Sequence, residues 1–275
     1  MIETMFSLDV ERLAAIAAEH RNQYRSAAPY PHVVIDDFLP ERVLDEVVAE
    51  FPTPDRAHWW RFDSETERKL ASTDHSIMGS STRSLLAQLN GAAFIDLLQD
   101  LTGIPGLVPD PHLFGGGLHQ IERGGYLEVH ADFNLHPVTH LERRLNVLVY
   151  LNRDWQESWA GALELWGADM ARCEARIQPV FNRCVIFSTT ATSFHGHPSP
   201  LACPEGVTRR SLALYYYALP ATTAAEPARN TLFPREQRPR ARGDSLRRWG
   251  KELAPPLVVR SIRQLRGARR GAHAS

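Results

Sequence analysis

Two hydrophobic rhythms divide this chain. In its first hundred residues apolar positions recur mainly at helical spacing. Phe6, Leu8, Leu13, Ile16 and Ala17 predict an amphipathic helix over residues 5–24, closed by Pro29 and Pro31. His32–Leu39 reads as a short apolar strand. Pro40 then suits the first turn of a helix carried by Val43, Leu44, Val47, Val48 and Phe51. Residues 53–81 are irregular and polar, with Trp59–Trp60 as their large apolar pair, and predict a long loop that covers another part of the molecule. Helical period returns over 84–101 through Leu85, Leu86, Leu89, Phe94, Ile95, Leu97 and Leu98.

From Leu113 the rhythm changes. Gly115, Gly116, Gly117, Gly124, Gly125, Gly161 and Gly167 punctuate short runs rich in Val, Leu, Ile, Phe and Tyr. Such runs predict strands of a sandwich or small barrel, at 117–122, 125–132, 144–151, 161–166, 176–181, 183–189 and 209–217. Their spacing favours antiparallel hairpins over βαβ units. The glycines do not form a phosphate loop, because the G-x-x-x-x-G-K-S/T pattern is missing and no helix follows. After Pro220 the chain is loop-like to about Asp244. Leu257, Val258, Val259, Ile262 and Leu265 then alternate with Arg260, Arg263, Arg266, Arg269 and Arg270, predicting a basic amphipathic helix. The expected organisation is an N-terminal support at 1–112, a β core at 113–220 and a basic extension at 221–275.

Composition changes this picture only at the ends. With 275 residues, 43% apolar and 23% charged, the chain suits one main soluble domain with additions. The net charge of −1 is uneven: between Arg229 and Arg270, 12 Arg and 1 Lys face 3 acids, so that segment carries +10 and the rest −11. Such a tail packs on its own acidic body or meets an anionic surface; nucleic acid is not an expected partner. Cys173, Cys184 and Cys203 are too few and too irregular for a disulfide framework or a zinc knuckle. Glu3, Asp9, Glu11 and Arg12 interrupt the N-terminus where a signal peptide would be apolar, and no run approaches the ~20 apolar residues of a membrane span. A cytoplasmic protein is expected.

The chemistry centres on His130-Ala131-Asp132. On a strand, residues i and i+2 share a face, so this imidazole and this carboxylate would point the same way and could grip one metal ion. A further imidazole would complete two histidines and one carboxylate, a set that holds Fe(II) on one side and leaves the opposite positions open. Two candidates, His195 and His197, follow the strong strand Cys184–Phe187. His136 and His140 have the i, i+4 spacing of a helical metal pair, but Pro137 between them breaks the helix. Farther on, Arg209 opens a strand otherwise apolar or aromatic; its guanidinium would enter a barrel mouth and need an anion there. Arg210 takes that role if the register slips by one.

In order and spacing, His130-x-Asp132, His195 and Arg209 resemble the Fe(II)/2-oxoglutarate dioxygenases of the prolyl-4-hydroxylase-like branch. Leu145–Trp155, Gly161–Trp166 and Pro179–Phe187 are similar to strands of that branch, with Ala160 where a first glycine is usual. The match spans about 113–219. It implies a double-stranded β-helix, or jelly roll, in an α+β protein with N-terminal flanking helices and a basic C-terminal helical tail. By the resemblance His130, Asp132 and His195 would hold iron. Arg209 would bind the distal carboxylate of 2-oxoglutarate, with Tyr150 adding a hydrogen bond; Tyr126 and Asn146 are weaker candidates for lining the pocket.

The implied reaction is hydroxylation of a C–H bond with release of succinate and carbon dioxide. Dioxygen would be the oxidant and ascorbate a further candidate reductant. Related halogenases lack the carboxylate ligand, so the intact Asp132 favours hydroxylation. Substrates in reach are a peptide side chain, an amino acid or a small molecule. Two other readings are a jelly-roll binding protein without catalysis and a cupin-type metal hydrolase or isomerase.

Overall fold

The computed structural model describes residues 8–56, 58–220 and 227–234, all within one compact unit, Met1–Pro234. The expected basic helix, and the extension at 221–275 apart from 227–234, lie outside the described residues. Four helices come first: α1 Val10–Ser26, α2 Glu41–Ala49, α3 Ser80–Leu89 and α4 Ala92–Thr102. Asp9 caps α1, its carboxylate accepting from the backbone N–H groups of Glu11 and Arg12. The continuous helical period over 84–101 is broken at Asn90–Gly91 into α3 and α4. Pro40 stands just before α2.

Among the described residues twelve strands form one antiparallel, nearly closed jelly roll: β1 His32–Ile35, β2 Trp60–Asp63, β3 Glu67–Ser72, β4 Val108–Pro109, β5 Gly117–Ile121, β6 Tyr126–His130, β7 Glu142–Tyr150, β8 Leu163–Trp166, β9 Cys173–Ile177, β10 Cys184–Ser188, β11 Phe194–His197 and β12 Arg209–Ala218. They run in the order β1-β10-β7-β12-β5-β3-β6-β11-β8-β9, with β2 beside β3 and β4 beside β12.

Three elements depart from expectation. Residues 53–81 contain the β2–β3 hairpin, and β3 sits between β5 and β6 in the sheet. The charges of Glu67, Arg68 and Lys69 mask its pattern, and its partners other than β2 are β5 and β6, far away in sequence. The strand expected at 176–181 ends at Ile177, two residues before Pro179, which has no N–H to donate. Phe194–His197 is a strand, although no alternation announces it.

The central strands are two-sided. Leu145, Val147 and Val149 of β7, Cys184 and Ile186 of β10, and Leu212, Leu214 and Tyr216 of β12 join the helices in the main core. The alternate residues face inward: Tyr150, Val185 and Phe187 pack with Tyr30, Leu163, Leu165 and Ile177 in a second cluster. Among the described residues no helix is long and apolar enough to cross a membrane, and all three cysteines are free.

Candidate metal centre

His130 closes β6, and His195 lies directly opposite it on β11. Asp132 follows two residues after His130. Each of the three offers one ligand atom, and these atoms lie within 4.8 Å of one another, with all three residues buried. His130 Nε2 is 3.5 Å from Asp132 Oδ1, and His195 Nε2 is 3.4 Å from Asp132 Oδ2. Close approach of the two strands depends on Gly196, where a Cβ would come within 2.8 Å of the carbonyl oxygens of Leu127 and Glu128.

The tautomers follow from the neighbours. His130 Nδ1 lies 2.9 Å from the Glu128 carbonyl and His195 Nδ1 3.0 Å from that of Ser193. A carbonyl can only accept, so each Nδ1 donates and each Nε2 keeps its lone pair for a cation. Burial pushes the His195 pKa down to about 4 against the pull of Asp132, so the ring is neutral at pH 7. Burial works to raise the Asp132 carboxyl, but the Arg143 guanidinium and both histidines outweigh it and hold it well below the usual carboxylate range. An ionised carboxylate between two imidazoles that each present Nε2 is a donor set that fits Fe(II).

Behind the carboxylate stands a support. Arg143 Nη2 lies 3.0 Å from Asp132 Oδ2, and Asn146 Nδ2 donates to the same oxygen at 2.8 Å. Arg143 also donates twice to Asn146 Oδ1 and stacks on Tyr215, its Cζ 3.4 Å from the ring centroid. Sequence reading passed over Arg143. A register shift between β7 and β12 at this point, with Tyr216 opposite Leu145 but Tyr217 opposite Arg143, leaves Arg144 as the extra residue. Simple alternation therefore could not show that Arg143 and Asn146 meet.

A second feature missed from sequence is the strap 227–234. Ala131 and Leu232 exchange backbone hydrogen bonds of 2.9 and 2.8 Å, Arg229 Nη1 donates to the Asp132 carbonyl at 2.9 Å, and the Phe233 ring lies 5.3 Å from that of His130.

Farther inside, Arg209 is buried. Its Nε donates to the Gly161 carbonyl at 2.7 Å and its Nη2 to the Tyr150 hydroxyl at 3.2 Å. Among the described residues no carboxylate pairs with it. Burial lowers its pKa and Tyr150 opposes the shift; an arginine keeps its charge all the same. Arg210 points the other way: its guanidinium donates to Thr208 Oγ1 and lies over the Phe51 ring.

The remaining candidates separate. Tyr126 donates to the Ser64 carbonyl on the β2–β3 turn, and Asn146 belongs to the support of Asp132. His136 is buried 3.5 Å from Asp110, while His140 is exposed; neither lies on a helix. His197 is buried on β11 beyond His195. Burial, followed by the charges of Arg209 and Lys69, holds its pKa well below that of free histidine.

Two histidines and a carboxylate brought together in this way fit iron binding. Residues 116–217 match the family model of the 2OG-Fe(II) oxygenase superfamily. This match over the β core, together with the buried His130, Asp132 and His195, supports an oxygenase that uses Fe(II), 2-oxoglutarate and dioxygen. No curated protein matches the sequence.

Solved structures share the fold at low identity. A prolyl hydroxylase of Trichoplax adhaerens, in complex with a peptide fragment of the hypoxia inducible factor oxygen degradation domain, is 16% identical over 76% of this chain and 91% of its own, with a TM-score of 0.56. A Pseudomonas putida prolyl-4-hydroxylase is 19% identical over 74% and 99%, with a TM-score of 0.51. HygX of Streptomyces hygroscopicus, solved with nickel, 2-oxoglutarate and hygromycin B, is 12% identical over 73% and 86%, with a TM-score of 0.50.

Proposed function

We propose that this chain hydroxylates a C–H bond of a peptide side chain, an amino acid or a small molecule, with His130, Asp132 and His195 as the iron ligands. Arg209 and Tyr150 take the distal carboxylate of 2-oxoglutarate. The observation that carries the reading is the pairing, inside one barrel, of a buried metal-grade triad with a buried guanidinium that no carboxylate neutralises among the described residues. Iron, 2-oxoglutarate and dioxygen together supply the oxidation, placing one oxygen atom in the product C–OH and the other in succinate, with release of carbon dioxide.

The chain's own residues bind, orient and exclude. His130 and His195 present Nε2 because their Nδ1 hydrogens are engaged by backbone carbonyls. Arg143 and Asn146 hold the Asp132 oxygen from behind, so the carboxylate keeps its charge and its direction. Arg209 offers a fork suited to a carboxylate, and the Tyr150 hydroxyl, already accepting from Arg209, has its own hydrogen to donate. Phe187 and Phe233 pack against the histidines and keep water from their outer faces. Substrate choice falls to the elements around the mouth, the β2–β3 hairpin, residues 133–141 and the strap 227–234, because loops on a rigid scaffold carry specificity.

The test is succinate formation from 2-oxoglutarate by the Fe(II)-loaded protein, against a panel of peptides, amino acids and aminoglycosides. Turnover that needs Fe(II) and dioxygen is expected, with none under Zn(II). A protein that binds neither metal nor 2-oxoglutarate would defeat the reading.

A further inference from the structure

Inside the barrel His197 has no role in the account above. His197 is 4% exposed, and neither of its ring nitrogens has a hydrogen-bond partner among the described residues. Leaving a buried polar group unmatched costs about 1–3 kcal/mol, so an imidazole placed this way points to a ligand that satisfies it.

Its position says which ligand. His195 pairs with Leu165 across β8, and Gly196 with Glu164, whose carboxylate turns outward to Arg176. The pairing of β11 with β6 shifts register between His195, opposite His130, and His197, opposite Leu127, which places the extra residue on β6 and leaves β11 regular; His197 therefore shares the inner face with His195 and lies one step farther along, toward Leu163. Leu163 packs in one cluster with Tyr150, and the Gly161 carbonyl just beyond accepts from Arg209. His197 therefore stands at the level of Arg209 and Tyr150, below the metal ligands, and it is not part of the metal-grade group.

We propose that His197 donates an N–H hydrogen bond to the distal carboxylate of 2-oxoglutarate, making a three-donor cradle with Arg209 and Tyr150. This rests on the reading that places 2-oxoglutarate against Arg209. A neutral imidazole has one N–H, and a carboxylate has lone pairs to spare after a guanidinium and a phenol have bound it. His197 is thus a positioning residue for the co-substrate and leaves the metal alone.

The experiment is calorimetric titration of the full-length Ni(II)-loaded protein with 2-oxoglutarate and with 2-oxobutanoate, a keto acid that lacks the distal carboxylate. His197→Leu and His197→Phe should weaken 2-oxoglutarate binding about tenfold, as expected for losing a hydrogen bond to a charged group. Their affinity for Ni(II) and for 2-oxobutanoate should stay at the wild-type level. His197→Asn, which keeps an N–H donor, should recover most of the loss.

Three results would overturn the proposal: unchanged 2-oxoglutarate affinity in both apolar variants, equal weakening toward both keto acids, or loss of Ni(II) binding. If instead the wild-type protein binds Ni(II) but no 2-oxoglutarate, the functional reading itself falls and His197 falls with it.

Discussion

The same three strands, β7, β10 and β12, present two faces that obey different rules. The helix-backed face is closed with Leu145, Val147, Val149, Ile186, Leu212 and Leu214, none of which asks for a specific partner. The inner face carries Asn146, Tyr150, Arg209 and Ser211, all buried, and two of its members meet at 3.2 Å as Arg209 and Tyr150. One face obtains stability from area removed from water, whereas the other carries buried polar groups at the positions where the proposed 2-oxoglutarate would bind. Substitutions on the first should therefore act on folding, and substitutions on the second on binding.

The largest separation is expected at the metal. Asp132→Ala should abolish turnover and remove the stabilisation that Ni(II) gives the wild-type protein, about 2.7 kcal/mol at a hundred times the dissociation constant. Thermal unfolding with and without Ni(II) measures it, and a full metal-dependent shift in the variant would break the comparison. Next is the apolar face. Phe94→Ala removes a fully buried ring from the helix side and should cost about 3–5 kcal/mol of stability. Denaturant titration reads that loss, while the 2-oxoglutarate KM of the folded fraction should stay unchanged.

Arg209→Ala should behave in the opposite sense. It should raise the 2-oxoglutarate requirement on the order of a hundredfold, through the loss of a charged pairing worth about 3 kcal/mol. Metal affinity should hold, and steady-state kinetics beside Ni(II) calorimetry separate the two. Arg210→Ala, on the outer side of the same strand, should leave that KM alone. A smaller inner-face effect is expected for Tyr150→Phe, about tenfold in the same KM, from one hydrogen bond to a charged group. At the exposed rim Arg153→Ala breaks its contacts with Asp45 and Glu41 and should cost no more than about 1 kcal/mol.

Much of this contrast was legible in the chain. Strand alternation distinguishes Arg209 from Arg210, and it sends His130 and Asp132 to one side. The β2–β3 hairpin was not legible, because charges at Glu67, Arg68 and Lys69 dominate a strand whose partners other than β2 lie far away in sequence. Arg143 was hidden by the bulge at Arg144, which shifts the face of every residue before it. The contact of residues 227–234 with the His130–Asp132 stretch was equally invisible, since about a hundred residues separate the two.

By itself, the sequence determined the β-core region, the helices that back it and the residue types of the site, because period and spacing are local properties of a chain. Tertiary structure alone decided that His195 stands across from His130, that Arg143 holds Asp132 from behind, and that His197 lies inside with both nitrogens unmatched. Those facts depend on register, bulges and closure between strands distant in sequence, and no local pattern encodes them.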